Sequence, residues 1–323
     1  MMLRAISSIA ALLLIIFALI LTWHFWPRKI DVAAYPVPNY ETSGVNMDVQ
    51  KMGNVRLGYF STGHNISPEA FIYSGGSLIE THTSVYSGMV VQHPKGTFMF
   101  EGGIGGDVAA KMQRNFDSFQ RSIFTYTAEG TAREQLEASS LSAADIDFIL
   151  LTHLHWDHTG VIEGFPDKEI WTTEDEFNWG RDHGSGADGF FPEDYLKEEL
   201  HWKFITFDPV KYESFERSLD LYGDGSIVLV PLPGHTAGSV GMFVTLKTGN
   251  RFLFIGDISW SQKALDIPAK RPPLGQHLAD KFDEGLTASL VQLHHLKRKY
   301  PELQIIPTHD EAAFKDVERL RNW

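Results

Sequence analysis

The amino-acid sequence predicts an α+β domain that follows one apolar helix at the N-terminus. Short apolar runs of strand length recur along the chain and stop beside glycine, proline or small polar residues, which is typical of buried strands that lead into loops. Leucines recur at helical spacing in residues 286–296, which predicts a helix packed on one face of a sheet. Residues 9–21 are apolar without interruption, which predicts a helix of a different kind.

The N-terminal apolar segment has the length of a membrane span. As a helix, residues 6–26 would extend over about 30 Å, the thickness of the hydrocarbon core of a bilayer. Tryptophans and basic residues at its end resemble the belt found at a membrane surface. We therefore expect residues 1–27 to form a single-pass membrane anchor, with the domain outside the cytoplasm; basic residues on both sides leave the orientation open. A cleaved signal peptide, with a weak cleavage site at residues 32–34, is the alternative.

The rest of the chain divides into a linker and one large domain. Residues 28–50 contain Pro36 and Pro38 and no hydrophobic periodicity, so we expect a linker there. Strand-like runs begin near Val55, and residues 51–323 are long enough for one catalytic domain.

Composition excludes several classes of function. The formal net charge is −13, from 41 acidic and 28 basic residues, so the surface would repel a nucleic-acid backbone and we expect no nucleic-acid partner. Cysteine is absent, which excludes disulfides and thiolate metal ligands. A small molecule is the expected substrate, and no feature predicts a particular oligomeric state.

A glycine-rich turn follows the predicted strand at residues 97–100. Glu101 precedes two pairs of glycines, and such density indicates positive φ angles or a close approach of the backbone. The glycine spacing does not match the fingerprint of a dinucleotide-binding loop. The role of Glu101 stays open.

The segment that dominates the sequence is Thr152-His153-Leu154-His155-Trp156-Asp157-His158. It follows an apolar run at residues 146–151 that predicts a buried strand. In an extended chain, alternate side chains point the same way, so the first two histidines can reach one cation. The aspartate and the third histidine lie beyond, where they could serve a second cation. Imidazole and carboxylate ligands suit zinc, with iron or manganese as alternatives.

Three later strands end in residues of the same chemical type. Apolar runs lead into His235, Asp257 and His309, each beside glycine, proline or threonine. Loops at one edge of a sheet can gather such residues on a rigid scaffold. The sequence therefore predicts that these side chains join those of residues 153–158.

Between residues 167 and 220, aromatic residues and glycines crowd together. One interpretation is an insertion that packs its own small core, and another is a wall of the substrate site. His183 lies in this stretch, where a glycine-rich loop could bring it over the site.

With this pattern of ligands, the chain resembles the metallo-β-lactamase superfamily over roughly residues 50–315. The resemblance implies a four-layer αβ/βα sandwich with a dinuclear metal site between its two sheets. It also implies two sets of ligands that share Asp257 as a bridge: His153, His155 and His235 around one ion, and Asp157, His158 and His309 around the other.

The chemistry expected of such a site is hydrolysis. A hydroxide that bridges two metal ions would attack a carbonyl group, and Asp157 would orient the water and relay its proton. Histidines must be neutral to bind metal, so activity should fall below about pH 6. No Gly-x-Ser-x-Gly motif suggests a serine nucleophile instead.

The resemblance favours an ester or lactone as the substrate. The bridging aspartate marks lactonases, thioesterases of the glyoxalase II kind and phosphodiesterases, and enzymes that destroy β-lactams usually lack it. Thr308-His309-Asp310 is similar to the end of the lactonase pattern, but Trp260 stands where lactonases place a tyrosine. Thioester hydrolysis is the first alternative, and the negative charge of the chain disfavours phosphodiesters.

Two further classes stay open. A di-iron redox protein would normally have a flavin domain, and the chain leaves no room for one after residue 315. A metal-binding protein without turnover would have the same ligands.

Overall fold

The computed structural model describes residues 2–323 and, within the first helix, the side chains of residue 9 and of residues from 12 onward. The strands, in chain order, are β1 (Arg56–Pro68), β2 (Thr81–His93), β3 (Gly96–Gly102), β4 (Thr127–Ala128), β5 (Phe148–Leu150), β6 (Glu169–Thr173), β7 (His201–Ile205), β8 (Leu219–Asp220), β9 (Ile227–Pro231), β10 (Val240–Thr245), β11 (Arg251–Phe254), β12 (Gln304–Ile306) and β13 (Glu318–Arg319). The α-helices are α1 (Met2–Phe25), α2 (Val108–Asn115), α3 (Ser118–Ile123), α4 (Ala132–Glu137), α5 (Val161–Gly164), α6 (Glu174–His183), α7 (Pro192–Tyr195), α8 (Gln262–Asp266), α9 (Pro273–Ala279) and α10 (Asp283–Lys299).

The strands form two mixed sheets. The larger has the order β13-β1-β2-β3-β5-β6-β7, with β4 paired to β1, and the smaller has the order β12-β11-β10-β9-β8. In the larger sheet, β1, β2 and β3 are antiparallel neighbours, whereas β3, β5, β6 and β7 run parallel. Parallel strands need crossover connections: α2–α4 lie between β3 and β5, α5 between β5 and β6, and α6 with α7 between β6 and β7.

The two sheets pack face to face over a buried apolar core. Because side chains alternate along a strand, Phe98 and Phe254 point into this inner core, while their neighbours Met99 and Leu253 point outward. Helices α4 and α5 cover the outer face of the larger sheet, and α10 covers that of the smaller sheet through Leu286 and its helical repeats. The four layers are therefore helix, sheet, sheet and helix, which confirms the predicted αβ/βα sandwich.

The N-terminal segment is helical, but the prediction of a membrane anchor is contradicted. Among the residues that the structure describes, no helix is both long enough and apolar enough to span a bilayer. The predictions of an anchor at residues 1–27, of the membrane as a partner and of a membrane location are therefore wrong. Residue 1 of the predicted anchor lies outside the described residues.

The segment predicted as a linker lies along the surface of the domain. The backbone N–H of Ile30 donates to the carbonyl of Pro268 at 2.8 Å, and that of Glu41 donates to the carbonyl of Glu213 at 2.9 Å. Tyr40 also packs against the outer apolar core of the smaller sheet. The division of the chain at residues 27 and 50 stays a prediction.

The aromatic stretch between residues 167 and 220 does not pack a core of its own. It contributes β6 and β7 to the parallel half of the larger sheet, and its side chains join the cores of that sheet. Trp171, for example, stacks on Phe148 with ring centroids 4.1 Å apart. Composition alone could not show this, because a strand that extends an existing sheet uses the same aromatic residues as a separate core.

Candidate metal centre

The ends of four strands bring the predicted ligands to one rim of the sandwich. The ligands of residues 153–158 follow β5, and His235, Asp257 and His309 follow β9, β11 and β12. In the smaller sheet these three strands run in the same direction, because β10 is antiparallel to β9 and β11, and β12 is parallel to β11. Their carboxyl ends therefore meet at one edge, opposite the loop that follows β5.

One group of three histidines is fully assembled. The ligand atoms of His153, His155 and His235 all lie within 4.8 Å of one another, and all three residues are buried. Nε2 of His235 lies 2.9 Å from Nδ1 of His155, so the two ring nitrogens face a common point. This is a set of imidazole ligands of the kind that binds zinc.

A second group lies beside the first. The ligand atoms of Asp157, His158 and His309 are also within 4.8 Å of one another. Asp257 lies between the groups: its Oδ2 is 3.0 Å from Nε2 of His309 and 3.7 Å from Nε2 of His235. Its Oδ1 is 3.3 Å from Nε2 of His158. The structure thus brings all seven predicted residues together, while their role as ligands stays a proposal.

The chemistry of this donor set fits divalent metal ions. Among the described residues, Nε2 of His153, Nε2 of His158 and Oδ1 of Asp257 are buried without a hydrogen-bond partner. A buried polar atom without a partner costs about 1–3 kcal/mol, and a cluster of them is unusual in a native protein. Ion coordination would satisfy these atoms, so the residues present match the divalent metal ions that the fold implies.

Hydrogen bonds to the opposite ring nitrogens fix how the histidines face the centre. Nδ1 of His309 donates to the carbonyl of Val85 at 2.7 Å, and Nδ1 of His235 donates to Asp280 at 2.9 Å. Nδ1 of His158 donates to the carboxylate of Glu101. Each of these bonds turns Nε2 towards the centre, as the outer partners of metal-binding histidines do.

Glu101, whose role the sequence left open, holds the ring of His158 in this way. It is buried, and it also accepts a hydrogen bond from the backbone N–H of Thr152, at the start of the ligand loop. Its φ is +60°, a conformation that residues other than glycine rarely adopt. Glu101 lies near the end of β3, opposite an irregularity in the pairing with β2 between Gly88 and Met89, and this strained backbone aims its carboxylate at His158.

Arg271 links Asp257 to Asp280, the carboxylate that accepts a hydrogen bond from His235. Its guanidinium donates to Asp280 at 2.7 Å and to the backbone carbonyl of Asp257. Burial raises the pKa of Asp280 to about 6, although the charge of Arg271 opposes the rise. Trp260 stacks against the same guanidinium and donates its indole N–H to Oδ2 of Asp257 at 2.7 Å. The tryptophan is thus a hydrogen-bond donor to the shared carboxylate.

Glu176, which no sequence motif marks, holds two ligand loops in register. It is fully buried in the first turn of α6 and accepts hydrogen bonds from the backbone N–H groups of Leu154 and Gly238, both at 3.0 Å. Arg271 and Asp280 also escaped prediction, because their contacts depend on the path of the chain around α9. His183 is exposed, packs against Trp179 and does not reach the centre.

The pKa shifts divide the histidines into two types. Desolvation and mutual repulsion among the imidazoles lower the pKa well below its usual value of 6.5 in His153, His155 and His235. Desolvation also acts on His158, but the carboxylates of Glu101 and Asp257 outweigh it and raise the pKa of that ring well above 6.5. The pKa of His309 is raised in the same way by Asp257. Without metal, protonation is therefore disfavoured on His153, His155 and His235 and favoured on His158 and His309.

Metal binding should release protons and strengthen as the pH rises. A metal ion must displace the protons on His158 and His309. For each displaced proton, the metal affinity should rise about tenfold per pH unit as long as the pH is below the pKa of that histidine. Zinc titrated into metal-free protein at pH 6 and pH 8, in buffers of different ionisation enthalpy, measures both effects. Glu101→Gln is the matched variant, because it removes the charge that raises the pKa of His158 and should reduce the protons released. Equal affinity at both pH values without proton release would contradict this assignment.

Two cavities lie near the centre. One of about 380 Å³ opens over Asp157, Trp260 and His309, and its walls are largely apolar. A larger one of about 810 Å³ lies behind the loop of His235 and is lined by none of the predicted ligands. Since substrate must reach the ligand cluster, the smaller cavity is the candidate substrate site.

Known proteins are similar to this chain in sequence or in fold. An N-acyl homoserine lactonase, AttM, from Azorhizobium caulinodans is 28% identical over 242 residues, which cover 72% of this chain and 85% of that protein. A solved N-acyl homoserine lactone hydrolase with the product N-hexanoyl-L-homoserine bound at its catalytic metal centre has a TM-score of 0.64 at 15% identity, covering 83% of this chain and 98% of that one. The dizinc quorum-quenching lactonase AidC has a TM-score of 0.54 at 15% identity, with coverage of 84% and 91%. The two structural likenesses show the fold.

The sequence profile of the metallo-beta-lactamase superfamily matches residues 82–309, a segment that includes all seven predicted ligands. This match covers more than half of the chain and agrees with the four-layer sandwich. The chain therefore belongs to the metallo-beta-lactamase superfamily.

Proposed function

We propose that this protein is a metal-dependent hydrolase that opens lactones by attack at the ring carbonyl, with carboxylic esters as related substrates. The observation that supports it most directly is the set of seven converging ligand residues, several with buried atoms that lack partners, beside an apolar cavity. The lactonases among its relatives support the choice of bond.

The ligand groups would hold two divalent ions, zinc first among the candidates and iron or manganese next. When bound, such ions lower the pKa of water towards about 7 and polarise a carbonyl oxygen as Lewis acids. The buried histidines would bind them as neutral rings, and Asp257 would reach both groups. Glu101, Asp280 and Arg271 would hold these side chains in position.

Asp157 is placed to move the proton. It lies where the ligand cluster meets the cavity, and its Oδ2 is 3.4 Å from Nε2 of His309. Burial raises the pKa of Asp157, while the neighbouring His158 and His309 oppose this rise. A carboxylate in this position would accept the proton of the attacking water and deliver it to the ring oxygen that leaves the carbonyl.

The cavity suits a substrate with a hydrocarbon part. Ile66, Phe71 and Ile123 line its outer half, and such walls favour apolar groups and exclude water. A phosphodiester would bring further negative charge to a chain whose net charge is already −13. The arrangement therefore favours an acylated lactone over a phosphodiester.

A substrate panel tests the proposal. Zinc-loaded protein should open N-acyl homoserine lactones to the hydroxy acids, identified by mass, faster than it cleaves a glutathione thioester or an aryl phosphodiester. Protein inactivated at the centre, Asp157→Asn, is the control for spontaneous ring opening. The absence of lactone opening in fully metal-loaded protein would refute the proposal, and preference for the thioester would move the protein to the glyoxalase II type of activity.

A further inference from the structure

The inner end of the smaller cavity contains a phenol that the mechanism above does not use. Tyr86 belongs to β2 and lines the cavity together with Asp157 and His309. Its ring meets that of His309 edge to face, with centroids 5.8 Å apart, and lies 5.5 Å from the ring of Trp156. The phenol therefore stands at the boundary between the ligand cluster and the space available to a substrate.

The hydroxyl of Tyr86 is weakly engaged. It donates to the backbone carbonyl of Thr125 at 3.4 Å, whereas a good O–H···O bond measures about 2.7–2.8 Å. Trp260, the other neutral donor beside the ligands, has already committed its N–H to Asp257 at 2.7 Å. Ser84 lies two residues earlier on β2, about one repeat of the strand further from His309. The O–H of Tyr86 is thus the donor at this end that can turn to a new acceptor at little cost.

The surroundings keep this phenol protonated. Burial raises the pKa of Tyr86 far above its usual 10, and the carboxylates of Asp157 and Asp257 raise it further. An ordinary phenol has a pKa of about 10, so Tyr86 is a neutral hydrogen-bond donor near neutral pH even without this shift. A neutral donor next to carboxylates is suited to an oxygen that gains negative charge during a reaction.

We propose that Tyr86 is a catalytic residue, whose O–H leaves Thr125 and donates to the carbonyl oxygen of the bound lactone as that oxygen becomes negatively charged. The inference rests on the proposed lactone hydrolysis. No bond of the tyrosine is made or broken, and the proton stays on the phenol throughout. The role concerns the transition state, because the charge on the carbonyl oxygen is small in the substrate and large in the tetrahedral intermediate.

The test separates the hydroxyl from the ring. Tyr86→Phe keeps the aromatic packing against Trp156 and His309 and removes only the donor. We expect kcat per metal-loaded protein to fall roughly 100-fold, the usual effect of losing one oxyanion donor, with KM for an N-acyl homoserine lactone nearly unchanged. Tyr126→Phe is the matched control, because Tyr126 packs in the same apolar cluster but does not line the cavity. Its kcat should equal that of the unmodified protein.

Metal content and melting temperature are measured on each sample, so that kcat refers to folded, loaded protein. A kcat in Tyr86→Phe within about threefold of the unmodified value would overturn the role of Tyr86, as would a loss that appears only in KM. If the unmodified, loaded protein opens no lactone, the proposed function fails first. The two failures are therefore distinguishable in one experiment.

Discussion

Replacing Asp257 by asparagine should remove almost all hydrolase activity while leaving the protein folded. The substitution keeps the shape and the oxygen that accepts from Trp260, but it removes the one charge that faces both ligand groups, at 3.0 Å from His309 and 3.7 Å from His235. Loss of an outer partner of a metal ligand typically costs 10- to 100-fold in affinity or activity, and loss of a shared direct ligand should cost more. We therefore expect kcat/KM to fall by more than about 100-fold, together with a lower metal content per chain.

Asp224→Asn is the control for the loss of an aspartate charge. Asp224 accepts from the backbone N–H of Gly53 and pairs with His93, and hydrogen bonds, notably from Ser226, hold its pKa at about 2 despite partial burial. Its neutralisation should lower the melting temperature without changing metal content or kcat. If Asp257→Asn kept the metal content and activity of the unmodified protein, the shared-ligand assignment would be wrong.

The ligand loop could be predicted because its geometry is local. His153 and His155 are two residues apart on a nearly extended chain, and their rings do lie side by side, with centroids 4.7 Å apart. The later ligands could be placed for a similar reason, since each follows an apolar strand and strands of one sheet that run in the same direction end at one edge. The superfamily resemblance then ordered these sheets into four layers.

The side chains that hold the proposed ligands in place could not be predicted, because their contacts depend on how the chain folds around the site. Arg271 reaches Asp257 and Asp280 only where α9 turns the chain back towards the rim. Glu101 reaches His158 only because its φ is positive, which a residue pattern does not reveal for a glutamate. Trp260 was singled out as a departure from the lactonase pattern, but its bond to Asp257 was not foreseen.

Hydropathy alone failed at the N-terminus. The apolar run predicted a membrane-spanning segment from length and composition, and the described helices include none that meets both criteria. Composition also failed between residues 167 and 220, where the aromatic residues extend an existing sheet. In the second case, the residue pattern does not tell whether an aromatic side chain packs in a separate core or on an existing sheet.

Removal of metal should abolish activity as completely as any substitution. The ligand atoms converge from four separate loops, so no ligand pair is expected to retain an ion once a strong chelator competes for it. Without ions, the buried nitrogens and oxygens of the cluster return to their unpaired state, and the melting temperature should also fall. Zinc, manganese and iron added back separately would identify the metal that restores the highest rate.

The most direct test is therefore metal analysis of the purified protein before and after chelation, with lactone opening measured on the same samples. The proposed function predicts two divalent ions per chain, loss of ring opening in proportion to the metal removed, and recovery when metal is returned. Ring opening at an unchanged rate in protein stripped of metal would contradict the central claim.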